Sequence, residues 1–342
     1  MKVLLTGASG GVGRKIIDYF LNDGNKVELV LFDVKTKRNQ KKLKAYKNRF
    51  EIIWGDLSAY NDVEKACRGI DAVIHTAAII PPLADHNPLL ANKVNVEGTQ
   101  NLVKALKANC PQAYIIYTSS VSVYGDRIDN PWIKVGDDLC PSDRDNYAVT
   151  KLEAEKVIIK SQLNWTIVRL SAVFGFENEH KFDPITFHMP LDTKMEFVTY
   201  GDVARALGKA IGKQEQLVNR IFNLGGGESC RIKSEDFMKF QFAAIGLKNI
   251  EFPAKLFADK NFHCGYYEDG DELEEILKFR SFTLELFKKG IRDSVNPIQR
   301  LLTESVAFLI KPLVIRYFKR ISEPYQAYVS NNKVDNKHYF RG

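Results

Sequence analysis

The sequence predicts an α/β fold built on a doubly wound parallel sheet, followed by a smaller, mostly helical C-terminal lobe. Over the first 225 residues, short apolar runs alternate with segments of helical periodicity, which is the pattern of repeated strand–helix units. Beyond about residue 226 this alternation gives way to helical and loop patterns. The predicted strands of the sheet are residues 2–6, 27–32, 50–53, 72–76, 114–119, 165–170 and 220–224.

Length, charge and cysteine content narrow the class of protein. The 342 residues exceed a typical single domain. Five of the seven net positive charges fall in residues 311–342, so the body is close to neutral and lacks the basic stripe of a nucleic-acid-binding domain. The five cysteines form no C-x-x-C pair, which favours free thiols in a reducing compartment. With no secretory pattern at the N-terminus, we expect a cytoplasmic protein.

A glycine-rich loop at residues 6–13, with the sequence TGASGGVG, joins the first predicted strand to a helical segment. Gly7 permits a tight turn, Gly10 lets the backbone approach a pyrophosphate, and Gly13 lets the helix pack closely on the strand. The free N–H groups at the helix N-terminus favour phosphate binding. The strand, loop and helix predict a Rossmann-type dinucleotide site with contacts from Gly7, Gly10, Gly11, Val12 and Gly13.

Asp33 lies at the end of the second predicted strand, twenty positions past Gly13. A carboxylate at this position accepts hydrogen bonds from the adenosine ribose and repels a 2′-phosphate, which favours NAD. Lys35, Lys37 and Arg38 follow closely and leave NADP as the alternative. We therefore expect NAD as the cofactor.

Tyr147 and Lys151 lie one turn apart at the start of a strongly helical segment. A phenol with a pKa of about 10 is a poor base near neutrality, and a neighbouring ammonium group with the positive nicotinamide would favour its phenolate. Ser120 follows the strand at 114–119, at the edge of the sheet where ligands bind. These three side chains form a candidate acid/base site, although an ordinary exposed Tyr/Lys helix pair is the alternative.

Taken together, the motifs resemble those of the extended short-chain dehydrogenases, the NAD-dependent epimerase/dehydratase family. They span nearly two thirds of the chain in the family's order: the glycine loop, G-D-L at 55–57, H-T-A-A at 75–78, V-N-V-E-G-T at 94–99, S-S-x-x-V-Y-G at 119–125 and Y-x-x-x-K at 147–151. The resemblance implies that Ser120 hydrogen-bonds the reacting oxygen and that Tyr147 transfers the proton. Lys151 would tune Tyr147 and hold the nicotinamide ribose.

The resemblance also implies further cofactor contacts, which come from Asp56, Leu57, Ala77, Ala78, Asn95 and Ser171. For Asn95, a polar helix residue paired with backbone is the alternative. The residues Tyr200-Gly201-Asp202 match a helix start of the family, and we expect Asp202 to cap that helix.

Three departures from the family's pattern bear on the reaction. Leu170 replaces the proline that commonly precedes Ser171 in the family. The backbone before Ser171 therefore lacks the rigidity that a proline would give it. No carboxylate follows Ser120, whereas sugar 4,6-dehydratases carry an Asp-Glu pair there, so a dehydratase is disfavoured. The segment from Gly175 to Phe197 is short for a nucleotide-sugar epimerase, in which a longer insertion clasps the nucleotide.

The predicted function is NAD-dependent oxidation, reduction or epimerisation of a secondary alcohol or ketone through Ser120, Tyr147 and Lys151. A nucleotide-sugar 4-epimerase is one form of it. Two alternatives stay open: a carbonyl or hydroxysteroid-type reductase for an apolar substrate near a membrane, and a non-catalytic dinucleotide-sensing protein. We expect a small-molecule substrate, no nucleic-acid partner and a homodimer.

The predicted division assigns residues 1–170 and about 196–225 to the NAD-binding domain, and 171–195 and about 226–300 to a substrate-binding lobe. Residues 301–342 form a basic, apolar C-terminal helix and tail. The charges and Pro312 within 301–321 argue against a membrane-spanning helix, which needs about 20 mostly apolar residues. Packing on the body and peripheral contact with anionic lipid are the two interpretations of 301–321.

A polar and aromatic loop precedes the last helical third of the chain. His263, Cys264, Asp269 and Asp271 match no metal-ligand spacing, so no metal site is predicted. His263 and Tyr266 are candidates for contact with the substrate.

Overall fold

The computed structural model describes residues 1–22, 27–175 and 183–341. The strands of these residues are β1 Lys2–Thr6, β2 Glu28–Asp33, β3 Glu51–Trp54, β4 Ala72–His75, β5 Tyr114–Ser120, β6 Trp132–Ile133, β7 Asn164–Leu170, β8 Ala172–Phe174, β9 Lys194–Thr199, β10 Arg220–Leu224, β11 Arg231–Lys233 and β12 Tyr266–Tyr267.

The α-helices of the same residues are α1 Gly11–Asn22, α2 Lys37–Leu43, α3 Tyr60–Ala66, α4 Leu83–His86, α5 Pro88–Ala91, α6 Gly98–Asn109, α7 Asn146–Ile159, α8 Tyr200–Ala210, α9 Gln214–Leu217, α10 Ser234–Ala244, α11 Asp271–Leu277, α12 Leu284–Ser294, α13 Pro297–Ser305, α14 Ala307–Ile321, α15 Glu323–Val329 and α16 Lys333–Tyr339. A π-helical turn, Asn92–Glu97, precedes α6.

One parallel sheet dominates the fold, with the strand order β10–β7–β5–β4–β1–β2–β3. The order reverses beside β1, and such a reversal opens a crevice at the carboxyl ends of the strands, where ligands bind. Its seven strands are the seven predicted ones, with bounds that differ by at most one residue at either end. The doubly wound α/β prediction is confirmed.

Helices cover both faces of this sheet. Leu5 and Leu31 point to the layer of α1 and α8, whereas Leu4 and Val30 point to the layer of α3, α6 and α7, because successive side chains of a strand face opposite sides. All four side chains are buried. Burial on both faces explains why these strands read as continuous apolar runs.

The C-terminal region is largely helical, as predicted, and contains α10 to α16. Two small sheets accompany it: β11–β9–β8, and β6 paired with β12. The single helix expected from residue 301 is interrupted, because Val306 leaves helical geometry (φ −111°, ψ 16°) between α13 and α14. The predicted domain boundaries stay a prediction, and residues 176–182 of the predicted lobe lie outside the described residues.

Asp202 does not cap α8 as expected. The helix begins at Tyr200, so Thr199 is the cap and its hydroxyl accepts the N–H of Asp202 at 3.1 Å. The Asp202 carboxylate instead accepts the Ser281 hydroxyl at 2.8 Å and the N–H groups of Ser281 and Phe282 at 3.2 Å. This contact anchors the C-terminal region to the sheet domain.

Within the described ranges, no helix combines the length and the apolar character needed to cross a membrane.

Candidate active site

Two clefts meet over the glycine loop at the carboxyl edge of the sheet. The Asp33 cleft has a volume of about 280 Å³ and reaches the ends of β2 and β3. The Tyr147 cleft, of about 540 Å³, reaches the ends of β5 and β7 and the C-terminal region. Both are lined by Gly7, Gly10, Thr76 and Ala78, so they form one continuous groove.

The glycine loop makes the floor of this groove. Gly7 has a φ of 71°, and a Cβ there would lie 2.8 Å from the Cα of Ala77. A Cβ at Gly13 would collide with the carbonyl oxygen of Gly7, so the close approach of α1 to the loop requires glycine. The Gly10 N–H donates to the Gly7 carbonyl at 3.0 Å. Gly11, Val12 and Gly13, in the first turn of α1, line the Tyr147 cleft, and the free N–H groups of a first helical turn favour phosphate binding.

Asp33 is held at the end of β2 by the loop itself. One carboxylate oxygen accepts the Ser9 N–H at 2.7 Å. The other accepts the Val34 N–H at 2.8 Å and the Asn39 amide at 3.1 Å. The carboxylate thus lines the cleft in a fixed position. By contrast, the three basic side chains that left NADP open are exposed and do not line the described cleft: Lys35, Lys37 and Arg38.

The other predicted cofactor residues fall into two groups. Asp56, Leu57, Ala77 and Ala78 line the Asp33 cleft. Asn95 lines neither cleft.

Asn95 is buried, and its hydrogen bonds link the π-helical turn to α7 and to the segment after β4. Its amide donates to the Ile79 carbonyl and to the Thr150 hydroxyl, both at 2.9 Å. Its oxygen accepts the Ile79 N–H at 2.7 Å. These bonds fix α7 against the segment after β4. They match the alternative of a polar helix residue paired with backbone, and direct cofactor contact by Asn95 stays a prediction.

Ser120, Tyr147 and Lys151 come together in the Tyr147 cleft. Asp145 caps α7 by accepting the Ala148 N–H at 2.8 Å, which sets Tyr147 in the first turn and Lys151 in the second. The Ser120 hydroxyl, at the end of β5, accepts the Ser122 hydroxyl at 3.0 Å and lies close enough to Tyr147 to lower the pKa of its phenol. The Lys151 ammonium donates to the Thr118 carbonyl at 2.7 Å and lies 5.7 Å from the centre of the Tyr147 ring.

Desolvation dominates the ionisation of this site. Burial lowers the pKa of Lys151 to about 7, against the opposing charge of Glu155. Burial and the nearby Asp145 carboxylate raise the pKa of Tyr147, and the Ser120 hydroxyl offsets only part of this. The expected lowering of the Tyr147 pKa depends on the positive nicotinamide as well as on the ammonium, so it stays a prediction. Burial by itself favours the protonated phenol, and Tyr147 lies where it can exchange a proton with a substrate in the cleft.

Behind Lys151, a buried ion pair connects α7 to the sheet. Arg169 donates to both oxygens of Glu155, at 3.0 and 2.7 Å, and a third bond of 2.8 Å reaches the Tyr124 hydroxyl. Tyr124 in turn donates to Asn223 at 2.9 Å. Glu155 lies one helical turn beyond Lys151, and this spacing is the one feature of the sequence that indicates its place beside the site. Its partner Arg169 is on β7, which the spacing does not indicate.

His263 brings the C-terminal region into the site. It lines the Tyr147 cleft, and its Nδ1 lies 3.1 Å from the Asp145 carboxylate at the cap of α7. Tyr266, the other candidate, packs against Trp132 with ring centres 5.4 Å apart and does not line the cleft. Of the two candidates for substrate contact, His263 therefore lies in the cleft and Tyr266 lies outside it.

The groove fits a dinucleotide. The loop residues Gly10, Gly11, Val12 and Gly13 line the Tyr147 cleft beside Ser171. The Ser171 hydroxyl is buried and has no hydrogen-bond partner among the described residues. An unsatisfied buried hydroxyl is costly, and the carboxamide of a nicotinamide would satisfy it.

Comparison with known proteins adds a family match. A model of the NAD dependent epimerase/dehydratase family matches residues 3–225. The 3 beta-hydroxysteroid dehydrogenase type 7 of Mus musculus is 31% identical over 162 residues, 46% of this chain and 44% of that protein. The N-acetyl-alpha-D-glucosaminyl-diphospho-ditrans,octacis-undecaprenol 4-epimerase of Escherichia coli O157:H7 is 33% identical over 184 residues, 52% of this chain and 50% of that protein. The chain spans about half the length of these relatives.

Solved structures share the fold over most of the chain. A short-chain dehydrogenase/reductase superfamily protein of Agrobacterium tumefaciens with bound NAD superposes with a TM-score of 0.67 at 19% identity, covering 89% of this chain and 99% of that chain. A UDP-glucuronic acid 4-epimerase of Bacillus cereus gives a TM-score of 0.69 at 20% identity, covering 86% and 98%. These likenesses confirm the Rossmann-type fold.

Proposed function

The chain belongs to the NAD dependent epimerase/dehydratase family, and we propose that it interconverts a secondary alcohol and a ketone through Ser120, Tyr147 and Lys151. NAD, the cofactor predicted from Asp33, is the cofactor of this family. The observation that carries the proposal is the meeting of these three side chains with the glycine loop in one cleft.

Each of the three side chains has a separate task. When bound, the nicotinamide of NAD accepts or returns a hydride. The Ser120 hydroxyl, which lies beside Tyr147 in the cleft, is placed to hydrogen-bond the substrate oxygen. In the reducing direction the Tyr147 phenol donates its proton to the ketone oxygen, and in the oxidising direction it takes the alcohol proton. Lys151 donates to the Thr118 carbonyl, and this hydrogen bond keeps its charged group beside Tyr147.

The walls of the Tyr147 cleft favour an apolar substrate. Lys151 is the only Lys or Arg among its described lining residues. A nucleotide sugar carries a diphosphate, which proteins usually hold with Arg or Lys. Most of the remaining wall is apolar, formed by Ile80, Pro81, Val121, Leu170, Ala172, Val173, Phe174, Ile185, Met189, Met195 and Phe262.

We therefore favour an apolar alcohol, such as a 3β-hydroxysteroid, over a nucleotide sugar. The relative named as a 3 beta-hydroxysteroid dehydrogenase supports this choice.

The test measures NADH formation from NAD with a 3β-hydroxysteroid and, separately, conversion of UDP-glucuronic acid to its 4-epimer, because an epimerase returns the hydride and releases no NADH. We expect NADH with the steroid and no 4-epimer of the nucleotide sugar. Tyr147→Phe should lower kcat by about 10²- to 10⁴-fold because the proton donor is lost, while NAD binding stays as in the wild type. Tyr266→Phe is the matched control, since that ring lies outside the cleft, and should keep wild-type turnover.

Equal turnover by Tyr147→Phe and the wild type would refute the assigned mechanism. NAD binding without turnover of either substrate class would favour the dinucleotide-sensing alternative.

A further inference from the structure

Helices α13 and α14 present large apolar side chains to solvent. We call this surface the outer face, and its side chains are between 41% and 73% exposed: Ile298, Leu301, Leu302, Val306, Phe308, Leu309, Leu313 and Tyr317. Single exposed apolar residues are ordinary, but eight of them within residues 298–317 favour an interaction surface. The described part of α13 buries none of its residues.

The opposite face of α14 is already used by the protein. Ile310, Val314, Ile315 and Phe318 pack with the cluster that contains Phe242 and Leu256. Packing on the body therefore occupies one face of α14, and the described residues leave the outer face exposed. The two interpretations of residues 301–321, packing and surface contact, apply to different sides of the same helix.

The charges beside the outer face are positive. Residues 297–321 contain one acidic residue, Glu304, which forms an ion pair with Lys248. The basic residues of the segment are Arg300, Lys311, Arg316, Lys319 and Arg320. Exposed Arg316 and Arg320 lie on α14 among the outward apolar side chains.

This charge pattern distinguishes between possible occupants. A second copy of the chain packed symmetrically on the outer face would place like charges opposite each other, which opposes binding. An anionic bilayer accepts the apolar side chains at its interface and attracts the arginines and lysines around them.

The outer face is also connected to the candidate active site. On the inner side of α14, the Phe318 ring lies 5.4 Å from the Phe187 ring, centre to centre. Phe187 belongs to the short helical turn Pro184–His188. Ile185 and Thr186 of the same turn line the Tyr147 cleft. One layer of side chains thus separates α14 from the wall of the cleft.

We propose that the outer face of α13 and α14 docks on the surface of an anionic lipid bilayer. Docking of this kind needs no membrane-spanning helix and does not depend on the reaction. It sets the Tyr147 cleft close to the lipid, where an apolar alcohol is concentrated; this last consequence rests on the proposed function.

The test is flotation of the full chain with vesicles of phosphatidylcholine, with and without phosphatidylglycerol. We expect binding to the anionic vesicles that weakens as salt is added. Phe308→Asp/Leu313→Asp should weaken binding by roughly tenfold or more, because two apolar anchors become charged. Val334→Asp, which alters an exposed apolar residue of α16, is the matched control and should bind as the wild type.

A second pair of variants tests the charges. Arg316→Gln/Arg320→Gln should lower the affinity for anionic vesicles by roughly fivefold per charge. The control Lys337→Gln removes an exposed charge from α16 and should have no effect. Thermal melts of all variants check that the fold is kept.

Two outcomes overturn the proposal: wild-type protein that stays unbound with anionic vesicles, or aspartate variants that bind as the wild type does. A dimer that the aspartate variants dissociate, without vesicle binding, would assign the face to a second copy. NADH formation separates this proposal from the proposed function, since a failure of docking leaves turnover of dispersed substrate intact, and a failure of the reaction leaves vesicle binding intact.

Discussion

Helices α1 and α13 both gather apolar side chains on one face, and they use that face in opposite ways. In α1, Ile16, Ile17 and Phe20 are buried against the sheet. In α13, Ile298 and Leu301 are among the most exposed apolar residues of the described chain. Periodicity therefore predicts which side chains share a face, but it does not predict what the face meets. A flanking sheet decides the first case, and an external surface is our proposal for the second.

The comparison extends to the regions that contain these helices. The parallel sheet and its helices position the candidate site residues through buried polar contacts, such as the Glu155–Arg169 pair between α7 and β7. The outer face of α13 and α14 consists of exposed side chains. The packing of the rest of the described fold does not depend on them. Changes in the sheet domain should therefore alter stability or cofactor binding, and changes in the outer face should alter neither.

The largest effect is expected at Glu155. Glu155→Gln leaves the Arg169 guanidinium buried without its carboxylate, and it should lower the free energy of unfolding by about 3–5 kcal/mol. Glu153→Gln, on the same helix, breaks an exposed pair with Lys156 and should cost about 0–1 kcal/mol. Urea unfolding followed by circular dichroism measures both. Equal costs would show that the buried pair does not hold α7.

The next prediction compares the two helices directly. Ile16→Ala should cost about 2–5 kcal/mol of unfolding free energy, because it leaves a cavity against the sheet. Leu301→Ala should change this free energy by no more than about 0.5 kcal/mol. The same unfolding measurement serves for both variants. A large cost at Leu301 would mean that the protein itself covers the outer face, which contradicts the docking proposal.

A smaller effect is expected at the cofactor. Asp33→Ala removes a charged acceptor, worth about 1.5–3 kcal/mol, so NAD affinity should fall roughly 10- to 100-fold and the preference over NADP should narrow. Calorimetric titration with each dinucleotide measures this, and vesicle binding should be unchanged. Unaltered NAD affinity would remove Asp33 from the site.

Local patterns predicted the sheet, and they predicted where the candidate site residues lie along it. The seven strands are continuous apolar runs, and the positions of Gly7, Asp33, Ser120 and Tyr147 follow from strand ends and helix starts. Each of these predictions depends on a few neighbouring residues. That is why the sequence was sufficient for them.

Long-range contacts could not be predicted in the same way. His263 reaches Asp145 across 118 positions, and Glu155 reaches Arg169 on a different element. The burial that raises the pKa of Tyr147 could likewise not be predicted from the sequence, because desolvation depends on how deeply the folded cleft excludes water. The break at Val306 lacked a glycine or proline to mark it, and Pro312 instead lies inside α14.

Hydride transfer with protonation by Tyr147 is tested most directly with NADH that carries deuterium at the transferable position of its nicotinamide. The wild-type protein and Tyr147→Phe are each incubated with this NADH and a 3-ketosteroid, and the product alcohol is analysed by mass spectrometry. We predict that the wild-type protein forms alcohol with deuterium at the new carbinol carbon and that Tyr147→Phe forms almost none of this alcohol. Product that lacks deuterium, or equal amounts of labelled alcohol from both proteins, would contradict that mechanism.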